Sequence, residues 1–140
     1  MRTRNKILLL GVGLIVLSIF YFMKEYSRTV ANLADVPPQE KLVATELAKA
    51  YNENEMTAEK KYAGKIIEVT GVISSIYNEA DTIVNVLLNI DDSLPKISCS
   101  MESSEIPAIK KYASHQSIII KGYCTGYLLD VKMNRCVIIK

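Results

Sequence analysis

The stretch that decides the fold is residues 65–77, Lys65-Ile-Ile-Glu-Val-Thr-Gly-Val-Ile-Ser-Ser-Ile-Tyr77. Ile67 and Val69 alternate with polar residues, which predicts a β-strand with one buried face. Beyond Gly71 the apolar residues leave this alternation, so the phase of the pattern slips at the glycine. A strand that changes phase at a glycine bends there, often through a bulge, and a bent first strand can serve two sides of a small barrel.

The positive charge of the chain is concentrated at its N-terminus. The chain has 140 residues and a formal net charge of +2, but Arg2, Arg4 and Lys6 all precede the first apolar run. From Lys24 onward there are 14 Lys and Arg against 15 Asp and Glu. This near-neutral balance disfavours a domain that holds nucleic acid mainly through its phosphates, because such a domain shows a clustered basic excess.

A long apolar run follows the basic residues 1–6. Residues 7–23 (ILLLGVGLIVLSIFYFM) carry no charge, and their number lies at the lower limit of the about 17–25 residues that span a bilayer. The positive-inside rule then places residues 1–6 in the cytoplasm and the rest of the chain outside it. We therefore predict a single-pass transmembrane helix in the cytoplasmic membrane, with a buried core helix as the alternative.

The same run has features of a signal peptide. A cleaved signal peptide needs small residues soon after its apolar core, whereas Lys24 to Arg28 are mostly charged or bulky, and Ala31 and Ala34 lie further downstream. No cysteine follows the run, so a lipid-modified N-terminus is not expected. An uncleaved signal anchor is the favoured interpretation, with cleavage as the alternative.

The anchor is followed by a predicted linker, residues 24–37, and a predicted folded domain, residues 38–140. Pro37-Pro38, followed by an acidic residue at position 40, predicts the start of a helix. Its buried stripe recurs at helical spacing and consists of Val43, Leu47, Ala50 and Tyr51.

A second, shorter helix is predicted directly after the first. Thr57 is placed to be its N-cap, Tyr62 its end and Gly64 its C-terminal glycine. The charged residues around it are typical of a solvated helix face, and we assign them no function.

Four more strands are predicted after the first one. They comprise residues 82–90 and 97–101, a strand that begins near Ser117 and reaches Cys124, and the segment from Val131 to Ile139. Residues 125–130 either extend the fourth strand or form a loop. A short helix capped by Ser103 separates the third and fourth strands, provided that Pro107 stands in its first turn.

The predicted order is helix, three strands, helix, two strands. This order matches the OB-fold, a five-stranded Greek-key barrel with a helix between its third and fourth strands. We therefore predict a mainly β domain with short helices, preceded by a transmembrane helix and an amphipathic helix. An open antiparallel sheet with helices on one face is the alternative.

Several short sequence elements in this domain resemble those of a known family. They are Ala50-Tyr51, Asn52-Glu53, Ala58 with Tyr62 and Gly64-Lys65, Val69-Thr70-Gly71, Cys99, Lys121-Gly122 with Cys124 and Gly126, Val131 and Cys136. Together they resemble small bacterial OB-fold proteins described as tRNA-anticodon-domain-like, many of which look like lipoproteins of the cell envelope. The resemblance implies an OB barrel, but the family brings no established catalytic or binding residues. Because this chain lacks the lipid-bearing cysteine, the resemblance implies anchoring by a helix instead.

The domain contains three cysteines, Cys99, Cys124 and Cys136, two of which are placed to form a disulfide. A hairpin folded about Asp130 sets Cys124 opposite Cys136, and opposed residues on neighbouring strands lie close enough for a disulfide. Oxidation is permitted outside the cytoplasm. A pairing of Cys99 with one of the other two, and three reduced core cysteines, are the alternatives.

Neither a metal site nor a catalytic site is predicted. Three cysteines and His115 provide enough ligands for zinc, but no pair has the spacing typical of structural zinc sites. A reactive cysteine needs a nearby base and an accessible setting. No cofactor is expected.

Tyrosines and lysines on or beside strands are weak candidates for ligand binding, because exposed aromatic residues of OB-folds stack on ligands. The candidates are Tyr77, Tyr123, Tyr127, Lys65, Lys121 and Lys132. The alternative, which the near-neutral charge favours, is that these tyrosines belong to the core and its rim.

The sequence therefore predicts a membrane-anchored, extracytoplasmic OB-fold binding module without catalysis. Its ligand is expected to be a protein, a peptide or an envelope glycan, and nucleic acid is disfavoured. The first alternative, a nucleic-acid-binding OB domain, predicts tyrosines and lysines on one open barrel face. The second, a thiol-based enzyme, predicts an accessible Cys99 with a low pKa.

Overall fold

The computed structural model describes residues 13–21, 33–80, 83–88 and 91–139. The chain divides into two compact units, Met1–Asn32 and Leu33–Lys140. In the first unit, residues 13–21 form helix α1, whose large apolar side chains are exposed. No helix among the described residues has both the length and the apolar character needed to cross a membrane. The remainder of the predicted membrane run, residues 7–12 and 22–23, and residues 24–32 of the predicted linker lie outside the described residues.

The described residues of the second unit form three α-helices and six strands. In chain order they are β1 (Glu40–Val43), α2 (Ala44–Glu53), α3 (Glu55–Tyr62), β2 (Ile66–Ala80), β3 (Ile83–Leu88), β4 (Ile97–Met101), α4 (Ile106–Ile109), β5 (Ser117–Leu128) and β6 (Asp130–Ile138). Short 3-10 turns occupy Leu33–Asp35 and Ser103–Glu105.

The strands β2 to β6 close into a barrel. Their order is β2-β3-β4-β6-β5, and β5 pairs again with β2. All neighbours are antiparallel except β4 and β6, which run parallel. This arrangement confirms the predicted five-stranded OB barrel.

The long strand β2 joins the two sides of the barrel, as its sequence predicts. Residues 66–72 pair with β5, and the pairing with β3 begins at Ile73. The predicted position of the phase slip is wrong, however. Gly71 keeps the inward alternation of Ile67, Val69 and Ile73, and the register shifts between Ile73 and Ser75. The bulge therefore lies three residues after the glycine.

Gly71 has a different role, which is close packing. A Cβ atom at this position would lie 2.8 Å from the Ala44 Cβ atom and 3.3 Å from the Leu88 Cβ atom. Ala44 begins helix α2, so the missing side chain allows this helix to rest against the strand. Leu47, one turn further along α2, is fully buried.

The segment after Pro37-Pro38 is a strand and not the predicted start of the helix. β1 pairs in parallel with residues 67–70 of β2, and Lys41 forms an ion pair with Glu68 at 3.0 Å. The helix begins at Ala44, six residues after Pro38, and there Glu46 Oε2 accepts a hydrogen bond from the Val43 backbone N–H. Val43 itself is exposed and is not part of the buried stripe.

The shorter helices differ from their predictions mainly at their ends. Asn54, and not Thr57, is the N-cap of α3, because its Oδ1 atom accepts from the Thr57 N–H at 3.0 Å. Gly64 follows this helix with a φ of 77°, which confirms its role as a C-terminal glycine. Pro107 stands in the first turn of α4, as a proline must.

Candidate functional site

A polar groove crosses the outer face of β3, β4 and β6. Its open volume is about 220 Å³. It is lined by Tyr77, Glu79, Asn85, Ser98, Ser100, Lys132, Met133 and Asn134. In OB-folds, this side of the barrel binds oligonucleotides and oligosaccharides.

Strand register explains why these side chains share one face. Residues directly opposite each other on neighbouring strands point to the same side of a sheet. In one row Tyr77 pairs with Asn85, which pairs with Ser100. In the next row Ser98 pairs with Lys132. The polar lining of the groove is therefore built from outward positions of strands whose inward positions, Met133 among them, fill the core.

Two of the polar residues are almost completely buried in the groove floor. Asn85 is 4% exposed and Ser98 is 5% exposed. The Asn85 side chain donates a hydrogen bond from Nδ2 to Glu79 Oε2 at 2.7 Å. This bond orients the amide, since a buried amide group must have its donors satisfied. Tyr77, at 42% exposed, presents its ring at one end of the groove.

The charges at the groove nearly cancel. Glu79 and Lys132 line it with one charge of each sign. Near its other end, Arg135 Nε donates to Glu102 Oε1 at 2.8 Å, so that this pair is also neutral as a unit. The groove thus offers hydroxyl and amide groups and an aromatic ring, with no excess of positive charge.

Of the six predicted ligand-binding residues, the structure brings Tyr77 and Lys132 together in the groove. Tyr123 lies just beyond it, because it pairs with the groove residue Asn134. The remaining three predicted residues, Lys65, Lys121 and Tyr127, lie elsewhere and have other contacts.

Lys121 has a structural role. It is only 4% exposed, and its Nζ atom donates to the backbone oxygens of Ala34 and Val36 at 2.7 and 2.8 Å. These bonds tie the segment before β1 to the barrel wall. Lys65 lies 3.9 Å from a carboxylate oxygen of Glu40 at the start of β1.

Tyr127 belongs to the packing between helices and barrel. Its ring stacks on that of Tyr51, with centroids 5.6 Å apart, and Tyr51 is 2% exposed on the buried side of α2. For Tyr127 the core interpretation is therefore the right one.

The predicted opposition of Cys124 and Cys136 is wrong. Cys124 pairs with Met133, because register shifts in the β5–β6 hairpin move the two cysteines out of line. Cys136 pairs with Met101 on β4, and its Sγ atom fills the space above Gly122, where a Cβ atom would lie 2.6 Å away. All three cysteines are free thiols in this structure.

The setting of the thiols does not suit a nucleophile. Cys99, Cys124 and Cys136 are fully buried. Burial raises the pKa of Cys124, and burial together with the adjacent Cys99 thiol raises the pKa of Cys136. A reactive cysteine needs the opposite, an accessible thiol with a lowered pKa. Within the described part of the chain, no group of three or more His, Cys, Asp and Glu side chains is arranged to hold a metal ion.

Sequence reasoning missed most of the groove. Glu79, Asn85, Ser98, Ser100 and Asn134 line it, and none of them was predicted to bind. A signal was present, since Asn85, Ser98 and Ser100 are the polar partners in the alternation of their strands. Alternation identifies an outward face, but the strand pairing that joins three such faces into one groove is not visible in it.

Comparison with solved structures finds a similar fold in a bacterial protein. A candidate nucleic acid-binding lipoprotein from Klebsiella pneumoniae subsp. pneumoniae MGH 78578 matches with a TM-score of 0.60 and 15% identity, over 71% of this chain and 91% of that one. Weaker matches include the asparaginyl-tRNA synthetase of Entamoeba histolytica, with a TM-score of 0.42, 18% identity and coverage of 54% and 21%. A candidate aspartyl-tRNA synthetase from Leishmania major Friedlin has a TM-score of 0.47, 7% identity and coverage of 71% and 20%.

This chain thus matches about a fifth of each synthetase and nearly the whole of the bacterial protein. No curated protein matches its sequence. The family model tRNA_anti-like matches residues 1–138. The OB barrel and this match over nearly the full length agree, and the chain belongs to the tRNA_anti-like family.

Proposed function

We propose that this protein is a membrane-anchored, extracytoplasmic binding module, and that its groove takes an uncharged or weakly charged oligosaccharide without catalysing a reaction. The observation that carries the proposal is the composition of the groove. It combines an exposed tyrosine ring with amide and hydroxyl groups, and its two charges, those of Glu79 and Lys132, are of opposite sign. These groups suit sugar rings, which offer many hydroxyl groups and apolar C–H faces.

The pairing of the strands favours a glycan over an extended peptide. A peptide that binds by adding a strand needs an open strand edge. Each of the groove strands β3, β4 and β6 already has a partner on both sides. A ligand of the groove therefore lies on the sheet face and is held by side chains.

A single-stranded nucleic acid is the second candidate. Tyr77 and Lys132 share the groove, and a stacking ring beside a cation is the usual pair for holding a base and its phosphate. The bacterial protein of the same fold is named as a candidate nucleic acid-binding lipoprotein. The charge balance of the groove ranks this candidate second, because binding through phosphates needs several unpaired cations.

The location is inferred from the N-terminal sequence. Arg2, Arg4 and Lys6 precede the apolar residues 7–23, as in an uncleaved signal anchor whose C-terminal side is exported. The test is a pair of C-terminal fusions, one to alkaline phosphatase and one to green fluorescent protein. We expect phosphatase activity without fluorescence, and the reverse result would place the domain in the cytoplasm.

The binding proposal is tested by calorimetry with the full-length chain in a detergent without a sugar headgroup. The probe is chitohexaose, an uncharged N-acetylated hexasaccharide. We expect binding that Tyr77→Ala weakens about tenfold, the size of one good aromatic contact. The matched control is Met56→Ala, which removes a side chain that is 70% exposed on α3. An oligothymidylate that binds more tightly than the hexasaccharide would favour the second candidate.

A further inference from the structure

The binding surface does not end at the groove. We propose that it continues over β6 onto β5, where Tyr123, held by Arg135, forms a second aromatic subsite, and that the ligand is a chain long enough to contact Tyr77 and Tyr123 together. This inference rests on the function proposed for the groove and adds the direction and the minimum length of its ligand.

One row of outward side chains connects the two tyrosines. Tyr77 pairs with Asn85, and Asn85 pairs with Ser100. On the far side of β4, Asn134 lines the same groove and pairs with Tyr123. The row crosses five strands, so the two ends lie about 19 Å apart along the barrel surface, at about 4.8 Å for each strand spacing.

A bulge in β6 shapes this end of the surface. β6 contains one extra residue relative to both of its neighbouring strands. Its register with β4 shifts between Cys99 and Met101, and its register with β5 shifts between Lys121 and Tyr123. Met133 and Cys136 are both fully buried. The extra residue therefore puts two consecutive side chains, Asn134 and Arg135, outside the barrel between two inward ones.

The backbone of Arg135 is strained by this arrangement. Its φ of 55° lies in the left-handed region, which is unfavourable for an arginine. Bulges and strained residues of this kind concentrate beside functional sites, where they redirect side chains. Here the redirected side chain is Arg135, at the edge of the groove.

Arg135 is held between an acid and a ring. Its Nε atom donates to Glu102 Oε1 at 2.8 Å, and its guanidinium carbon lies 6.0 Å from the centre of the Tyr123 ring. The charge of Arg135 is thus balanced by Glu102, and its guanidinium group lies over the Tyr123 ring at the outer limit of a cation–π contact. A half-buried ring supported in this way is preorganised for stacking, since less side-chain freedom is lost when a ligand binds.

The two subsites give the surface a length preference. A disaccharide is too short to reach both rings, so it contacts one of them only. A hexasaccharide is long enough to contact both. The wild-type protein should therefore bind chitohexaose more tightly than chitobiose, and part of that difference should depend on Tyr123.

The experiment compares both saccharides in calorimetric titrations of the full-length chain. The variant Tyr123→Leu removes the ring and keeps an apolar side chain, and we expect it to weaken chitohexaose binding about fivefold to tenfold while chitobiose binding changes little. Tyr123→Phe keeps the ring and should retain the wild-type preference. Tyr112→Leu, at another half-buried tyrosine outside the row, is the matched control.

A second measurement does not depend on any variant. Amide chemical shifts of the wild-type protein should change at Tyr123 with the hexasaccharide and not with the disaccharide, which occupies the groove beside Tyr77. Equal affinity for both saccharides, or a wild-type hexasaccharide affinity in Tyr123→Leu, would overturn the second subsite and leave the groove proposal standing. Failure of the wild-type protein to bind either saccharide would overturn the groove proposal and this extension with it.

Discussion

Gly71 lies where helix α2 meets the barrel wall, and its missing side chain sets how closely they approach. We predict that Gly71→Ala lowers the free energy of unfolding by about 1–3 kcal/mol, the usual loss on overpacking a core. The reason is the 2.8 Å distance from the new methyl group to the Ala44 Cβ atom. Denaturant unfolding measures this loss.

The partner variant Ala44→Gly separates this contact from other effects. Alone it should cost up to about 1 kcal/mol, because glycine is a poor helix residue. Together with Gly71→Ala it should lose less than the sum of the two single losses, since one of the two overlapping methyl groups is absent. Additive losses would show that the overlap is not the cause.

The buried thiols predict a dependence of stability on pH. Burial raises the pKa of Cys124 and of Cys136 in the folded protein. Above about pH 8.5 the unfolded chain releases thiol protons that the folded chain retains, so the free energy of unfolding must fall as the pH rises. The slope should reach up to about 1.4 kcal/mol per pH unit for each thiol. Below about pH 7 these groups should contribute no slope.

Urea unfolding in the presence of a reductant, between about pH 7 and about pH 9.5, tests this dependence before most tyrosines and lysines titrate. Cys136→Ala is the informative variant. It should be less stable at every pH because of the cavity, but its stability should fall less steeply above about pH 8.5. An unchanged slope would mean that Cys136 does not retain its proton.

At the scale of elements, the β5–β6 hairpin turns at an unusual residue. Leu129 has a φ of 63° and is 84% exposed, so it has little packing to compensate for its left-handed backbone. We predict that Leu129→Gly raises the free energy of unfolding by about 0.5–1 kcal/mol, because relief of strain exceeds the added flexibility of the unfolded chain. Thermal or denaturant unfolding is the measurement.

The neighbouring residue provides the matched control. Leu128 is also exposed, at 73%, but it lies within β5 and does not have a positive φ. Leu128→Gly should therefore lower the stability by about 0.5–1 kcal/mol, the usual cost of glycine in a strand. If Leu129→Gly and Leu128→Gly change the free energy of unfolding in the same direction, backbone strain at Leu129 does not explain the effect of the glycine.

The strands of the barrel were predictable because their alternation is regular. β4 occupies residues 97–101, as predicted, and β3 covers the described residues 83–88 of the predicted strand. The ends of β5 and β6 differ from the predicted ones by a few residues. β1 was not predictable, since Pro37-Pro38 and a following acid are also typical of a helix start. The prediction that Cys124 lies opposite Cys136 was wrong because bulges shift the register of β5 and β6. These bulges are set by tertiary packing and are not visible in the local alternation of apolar and polar residues.

The candidate site was predictable only in part. Tyr77, Tyr123 and Lys132 were selected because they are aromatic or basic residues on strands, and these three do lie on or beside the groove. Lys121 has the same local pattern, but it binds two backbone oxygens. Lys121 and Lys132 have different roles because the segment before β1 passes over Lys121, whose side chain it binds, and does not pass over Lys132.

At the scale of the whole molecule, the folded unit carries its charges in near balance. From Leu33 onward it contains 12 Lys and Arg against 14 Asp and Glu. The groove has the same near balance of charge, since it is lined by one acid and one base, and its surface is polar without a strong electrostatic field. Recognition by such a surface depends on hydrogen bonds and ring contacts, which salt screens little.

This balance predicts how binding responds to salt. Chitohexaose affinity should change by less than about twofold between about 50 mM and about 200 mM salt, because no counterions are released when an uncharged ligand binds. A ligand held through six or more phosphates would instead lose about a thousandfold over the same range. Calorimetry with chitohexaose and with an oligothymidylate of similar length, each at both salt concentrations, separates the two cases.

The variant Lys132→Met tests the groove cation. Chitohexaose affinity should remain independent of salt in this variant, because Lys132 is not the main contact of the hexasaccharide. A steep loss of hexasaccharide affinity with salt would contradict the glycan proposal, since it would show that charge dominates binding at a surface whose charges cancel.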